Sequence, residues 1–267
     1  MINFIYRLLR LKKITSRLFL WIILLIMLSG CLHLISYMAI DKEKRITDTK
    51  SDLEYALSTQ QTIIENWADD RMNEIRYLAS LPVTKQFQLE RMKETYQHYL
   101  DTHDELTAIV ILDENGYVLL DSATSDVFPK QNVRLQDQEY FIAAKEGNEY
   151  LFDVVTSKAT NETVILFSAP VLSESDQLQG VVIGAANVSK INELLSHSIK
   201  DKGGRILLVN HEGSIVTQIS KSGNNQTGRL DTVIMDKITA GETPPTSYLN
   251  DKGEEVYSLF TPLFNER

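Results

Sequence analysis

One cysteine in 267 residues leaves no intrachain partner for a disulfide, and Cys31 lies inside a long apolar run, so the chain beyond it offers no thiol chemistry. That pattern fits a cell surface where folds rely on their cores, although a cytosolic chain would look the same. Proline and glycine are both missing from Asp41 to about Leu81, which leaves that stretch without a helix breaker. Acids are absent from the first seventeen residues, which carry Arg7, Arg10, Lys12, Lys13 and Arg17. The net charge is nevertheless −9, so the body of the chain is strongly acidic, and nucleic acid is excluded as a partner. The five histidines show no paired metal spacing, and neither a glycine-rich phosphate loop nor a Gly-x-Ser-x-Gly elbow occurs. Asp69-Asp70 and Glu254-Glu255 read as solvated charge. No catalytic residue, metal or cofactor is expected.

What is present begins with Leu18 to Ile40, about 23 residues without a charge, enough at about 1.5 Å per residue to cross a ~30 Å hydrocarbon core. The basic stretch before it, set against the mixed Asp41-Lys42-Glu43-Lys44-Arg45 after it, places the N-terminus in the cytoplasm and residues 41–267 outside. A cleaved signal peptide is the competing reading. Its sharpest form is Leu28-Ser29-Gly30-Cys31, similar to a lipoprotein box with Cys31 as the lipidated residue. Against it, Leu32 to Ile40 stays mostly apolar, where a lipoprotein tether is polar.

Apolar residues at Leu53, Leu57, Ile64, Trp67, Ile75 and Leu78 keep helical spacing, so the span continues into a long helix that ends near Leu81-Pro82. Gln60 and Arg71 interrupt the same seam, which argues for packing on a sheet and a partner chain rather than a pure coiled coil. Thr84 is read as the cap of a second helix reaching about Leu100. The period then changes to two. Thr107 to Asp113 and Tyr117 to Ser122 are strands joined through Glu114-Asn115-Gly116, a short helix covers Asp137 to Lys145, and strands follow at Tyr150 to Val155, Thr163 to Val171 and Gln179 to Val188. Ser189 then opens a helix to about Ile199. The sum is a helix followed by an antiparallel sheet of about five strands, an α+β architecture.

An internal repeat runs through the second half. Ile111-Leu112-Asp113-Glu114-Asn115-Gly116-Tyr117-Val118 is echoed by Leu208-Val209-Asn210-His211-Glu212-Gly213-Ser214-Ile215, and the strand ending at Pro170 by one ending at Pro262. The second copy is expected to stop one strand short, the natural protein continuing into a second membrane helix and an output module. The organisation expected is therefore a tail over 1–17, a span over 18–40, long and second helices over 41–104, a membrane-distal module over 105–200 and a truncated membrane-proximal module over 201–267.

From Asp41 onward the chain resembles the double Cache sensor domains of bacterial receptors, in which a long helix precedes two tandem PAS-like sheet modules. Its most specific stretch, Val133 to Ala144, is similar to the family's "DRxYFxxA" segment, and Gly180 to Ser189 to its "GvvgvDis" passage. The resemblance implies a small-metabolite pocket in the distal module, with candidate contacts at Gln138, Tyr140, Phe141, Asp153 and Asn187, and weaker ones at Tyr117 and Asp121. In amino-acid binders an arginine grips the ligand carboxylate and an aspartate holds its ammonium, but here those positions are Gln138 and Asn187. Both charges are missing, which disfavours a conventional α-amino acid and leaves a neutral or weakly polar metabolite, or a filled structural pocket. Function is expected to be ligand sensing by a membrane receptor that homodimerises through the long helix. The alternatives are a solute-binding surface lipoprotein and an interaction module without a ligand. Mass spectrometry of the membrane-extracted protein is expected to find residues 1–30 retained and no diacylglycerol on Cys31.

Overall fold

The computed structural model describes residues 14–122, 133–148, 150–156, 162–199, 204–210, 212–220, 228–240, 246–249, 253 and 255–263. The chain divides into two compact units, Met1–Tyr55 and Ala56–Arg267. Helix α1 is assigned over Ile14–Ser80 and so contributes to both. In the first unit the described apolar side chains between Leu18 and Ile40, Trp21, Leu25 and Tyr37 among them, are exposed. This helix is, among the described residues, the one long and apolar enough to cross a membrane by length and composition. Past the apolar run an Arg45–Asp41 pair at 2.7 Å forms one helical turn apart, an exposed contact of little energetic weight.

In the second unit α1 buries Gln60, Ile64, Trp67, Ala68, Arg71, Met72, Ile75, Leu78 and Ala79, steps of three and four that trace one helix face. Pro82 stops α1 because it supplies no N–H to continue the ladder, and the chain restarts at once as α2, Pro82–Lys85, with the proline in its first turn. The second helix was expected to run unbroken from Thr84. Instead Phe87 takes a left-handed φ of 48°, and α3 begins anew at Leu89–Thr102. Thr84 is fully buried and its hydroxyl serves the corner rather than a cap, donating to Leu78 O at 2.8 Å and meeting Tyr96 Oη at 2.8 Å.

Five strands follow: β1 Leu106–Asp113, β2 Val118–Asp121, β3 Tyr150–Thr156, β4 Thr163–Leu172 and β5 Leu178–Asn187, with α4 at Glu139–Lys145 before β3. They form one antiparallel sheet ordered β2-β1-β5-β4-β3, so the last strand in sequence is the central one. Proline does not end β4 as expected. Pro170 pairs opposite Val181 and the strand runs on to Leu172; among the described residues β3 pairs only as far as Ser168, so Pro170 interrupts no ladder on that flank. Helix α5, Val188–Ile199, returns to pack on the sheet through Ile191 and Leu195.

Two-fold alternation gives the sheet two apolar faces. Ile109, Ile111, Ile165, Phe167, Ala169, Val182 and Ala186 join α1, α3 and α5 in the larger cluster, while Leu112, Val181 and Ile183 join α4 in the smaller. Central β5 is bare under Ile75 of α1. A Cβ at Gly184 would lie 2.1 Å from Ile75 Cδ1 and 3.0 Å from its Cγ1, so any larger residue there must displace that fully buried side chain.

The repeat reappears at the level of hydrogen bonds in β6, Arg205–Val209, and β7, Ile215–Ser220. Asp113 Oδ1 accepts from Asn115 N (2.9 Å) and Tyr117 N (2.8 Å); Asn210 Oδ1 accepts from Glu212 N (3.2 Å) and Ser214 N (2.8 Å). Gly116 and Gly213 both take positive φ, 82° and 78°, and each carbonyl accepts a later N–H at 2.8 Å, from Leu135 and Leu230. A short helix follows each, α4 in one and α6, Thr232–Thr239, in the other. Strands β8, Thr246–Leu249, and β9, Glu255–Ser258, pair as a separate hairpin, and β9 ends before Pro262 rather than at it.

The two polar residues on the α1 seam are both buried. Arg71 lies between two carboxylates, Glu74 at 2.6 Å and Glu105 at 3.0 Å, with its guanidinium 6.0 Å from the Trp67 ring centre. Trp67 Nε1 donates to Glu105 Oε2 at 3.3 Å, and its ring meets Phe167 edge-on at 5.8 Å. Burial raises the Glu74 carboxyl above its ordinary range although Arg71 pulls the other way, and burial beside Glu74 pushes Tyr99 up to about 12. A carboxyl raised on folding binds its proton more tightly in the folded chain, so its stabilisation is full below the ordinary carboxylate range and is lost as pH rises through the folded value. Glu74→Gln is therefore expected to flatten the melting-temperature profile, with the variant gaining on the parent as pH climbs from about 4.5; differential scanning calorimetry across pH measures it.

Candidate ligand-binding site

The smaller apolar face is built by register. Val110, Ile183 and Ser168 stand in one row across β1, β5 and β4, with Asp121 of β2 beside Val110. Ala108, Ala185 and Leu166 form the next row, and Asn187 and Val164 the one after, extended by Val155 of β3. Helix α4 covers one end of this face. Tyr140 and Phe141 are both buried there against Leu112, Ala144, Val181 and Ile183. The fully buried Ser168 Oγ donates to Tyr140 O at 3.0 Å and so ties the first turn of α4 to β4.

The other end is only partly covered. Ala108 and Val164 are buried there, whereas Ala185, Leu166, Val155 and Asn187 are half-buried, a floor of small and medium side chains beside the α4 end. A face that is sealed at one end and half-open at the other, with alanines where the neighbours are larger, is a surface on which a compact molecule can bury apolar area.

A family model described as Cache domain, of the double Cache type, matches residues 34–265. The chain belongs to the Cache domain family. Among solved structures it is similar to the sensory domain of the Campylobacter jejuni chemoreceptor Tlp3 with isoleucine bound, at 16% identity and a TM-score of 0.61, covering 80% of this chain and 88% of that one. It is also similar to the ligand-binding domain of the Pseudomonas fluorescens chemoreceptor CtaA in complex with L-alanine, at 16% identity and a TM-score of 0.58, covering 81% and 91%. A third is the ligand-binding domain of the Pseudomonas aeruginosa PAO1 amino acid chemoreceptor PctC in complex with GABA, at 17% identity and a TM-score of 0.50, covering 63% and 75%. At these identities the likeness establishes the shared fold. No curated protein matches.

Within this Cache domain the candidate residues do not all stand alike. Gln138 precedes α4 in extended conformation and is exposed; its side chain makes no capping bond, and its carbonyl accepts from Phe141 N and Ile142 N, each at 3.0 Å. Tyr140 and Phe141 sit in the packed cluster under α4. Asn187 is held at both ends of its amide: Oδ1 accepts from Ser189 N at 2.8 Å, which makes it rather than Ser189 the residue that opens α5, and Nδ2 donates to Glu162 Oε2 at 2.7 Å. Asp121 is half-buried on the same face. For Asp153 only the backbone is described; it pairs with Leu166, and its side chain lies outside the described residues. Tyr117 is exposed at the hairpin, its ring 5.1 Å from the Arg134 guanidinium, whose Nε donates to Asn115 O at 3.0 Å.

Three residues escaped the sequence reading. Ser168 was legible as the one hydroxyl inside Val164 to Val171, while Glu162 and Arg134 have partners 25 and 19 residues away that no local pattern announces. Ser168→Ala is expected to cost about 1 kcal/mol by loosening α4 from β4, seen as a lower urea midpoint at unchanged slope.

Proposed function

We propose that this Cache domain is the extracytoplasmic sensing region of a membrane receptor, binding a small metabolite on the half-open face of the first sheet module. The observation that carries it is the uneven cover of that face, sealed by Tyr140 and Phe141 at one end and floored by Ala185 and Leu166 at the other. The chemoreceptor domains to which the chain is similar are named with isoleucine, L-alanine and GABA bound, which supports a small organic ligand. In this reading residues 18–40 span the membrane with the N-terminus inside, 105–200 form the membrane-distal module and 201–267 the proximal one. Two copies pair through α1, and an output domain outside this chain reads the signal.

A route for the signal follows from β5. Ile183 and Ala185 belong to the ligand face, while Val182, Gly184 and Ala186 belong to the other, where Ile75 of α1 meets Gly184. A ligand that binds one position of β5 more tightly than another shifts α1 by that difference in affinity and no more. No catalytic chemistry is assigned to these residues.

Thermal-shift screening of the full chain in detergent micelles against a metabolite panel is expected to find a compound that raises the melting temperature, by an amount that grows with its concentration. Ala185→Trp, which fills the floor, is expected to abolish that rise while the unliganded protein still melts cooperatively. An unchanged rise in the variant would remove the face from the binding role.

A further inference from the structure

We infer that the Arg71, Glu74 and Glu105 side chains form a proton-operated latch between α1 and the α3–β1 corner: with a proton on Glu74 the seam is closed, and without it α1 is loosened from the sheet. The latch lies on the α1 side of the sheet, away from the ligand face, and needs no ligand. One cation serves two acids there. Arg71 Nη2 meets Glu74 Oε1 at 2.6 Å and Nη1 meets Glu105 Oε2 at 3.0 Å, so with both carboxyls ionised the seam carries one negative charge too many. The two acids are not equal. Glu105 also accepts from Trp67 Nε1, and a third of its side chain stays in water. Glu74 is less exposed, and its Oε2 is buried without a hydrogen-bond partner, as is Arg71 Nε. Charge on an oxygen with no donor and no access to water is costly, whereas a neutral carboxyl keeps the Arg71 contact through Oε1 and removes the excess. The proton therefore goes to Glu74, in line with the tighter proton binding that burial gives its carboxyl.

The groups that face Glu74 from the other elements do not supply the missing positive charge. Tyr99 and His103, at the end of α3, stack at 4.1 Å between ring centres, and His103 Nδ1 is engaged by Thr102 Oγ1 at 2.9 Å and Tyr99 O at 3.1 Å. Lys190 of α5 is held by Asp104 at 2.9 Å. A charged His103 favours the ionised form of Glu74, so protonation of the histidine works against the latch rather than driving it. The position of Glu74 is what couples the proton to α1. Its neighbour Ile75 lies over Gly184 of central β5, and Arg71 and Trp67 stand one and two turns earlier on the same buried face. Water drawn to an ionised Glu74 Oε2 has to enter beside that contact. Acidity of the medium thus becomes an input to α1 separate from the ligand face.

Acrylamide quenching of Trp67 reads the seam, since a neutral quencher reports access rather than charge. In the full chain in detergent micelles, Trp21→Phe leaves Trp67 as the only tryptophan. Its quenching is expected to rise at least about twofold between about pH 5 and about pH 8 with the far-UV circular dichroism unchanged. Glu74→Gln, a standing copy of the protonated carboxyl, is expected to melt as the parent does at the lower pH and to keep the parent's low quenching at both. Histidine is the side chain that ordinarily titrates in this range, so His103→Asn is the control, and it is expected to keep the rise. Equal quenching of the parent at the two pH values overturns the latch. So does quenching in Glu74→Gln above the parent's low value, loss of the rise in His103→Asn, or a loss of helix signal at the higher pH, which is general unfolding.

Discussion

The sheet of the first module depends on the placement of its last strand in the middle. Strand β5 forms antiparallel ladders with β1 on one side and β4 on the other, and its two faces feed the two apolar clusters. Small residues at Gly184 and Ala186 let α1 lie close on one side, and the small Ala185 leaves a floor on the other. Larger side chains at those positions would press on the helix and fill the floor, so the same economy of volume in one strand shapes both faces.

Polar groups enter this architecture where elements meet. Arg71 is buried between Glu74 and Glu105 at the seam of α1 with the start of β1, and Thr84 and Tyr96 close the α2–α3 corner. The Thr84–Tyr96 hydroxyls satisfy each other, whereas Arg71 Nε and Glu74 Oε2 stay buried without a hydrogen-bond partner, so the ion pair leaves part of its polar surface uncompensated. The Asn187–Glu162 pair differs because it is exposed, joining the end of β5 to the residue before β4.

Much of the fold was legible along the chain because it rests on local rules. Gly116 and Gly213 mark hairpins whose positive φ only a few residue types tolerate, and the Asp113 and Asn210 side chains cap those turns in the same way. The α1 face followed from spacing, including the two polar residues that interrupt it. Where expectation and structure part, a neighbour decides. Thr84 was taken for a cap until the buried Tyr96 hydroxyl claimed it, and Pro170 was taken for a strand end although β4 runs past it to Leu172 with β5 alongside. The segment Gln138 to Ala144 was legible as the start of a short helix, but the contact of Glu162 with Asn187 was not, since it forms only across a strand pairing.

By itself the sequence determined the apolar run of 18–40, the helix after it, the α+β order of elements and their repetition, because each depends on periodicity, on a breaker or on a turn residue acting over a few positions. Only the tertiary structure decided that β5 is central, that Gly184 receives Ile75, that α4 seals one end of a face and that an acid stands beside Asn187. Those facts depend on which distant residues share a row, and register is a property of paired strands rather than of any one of them.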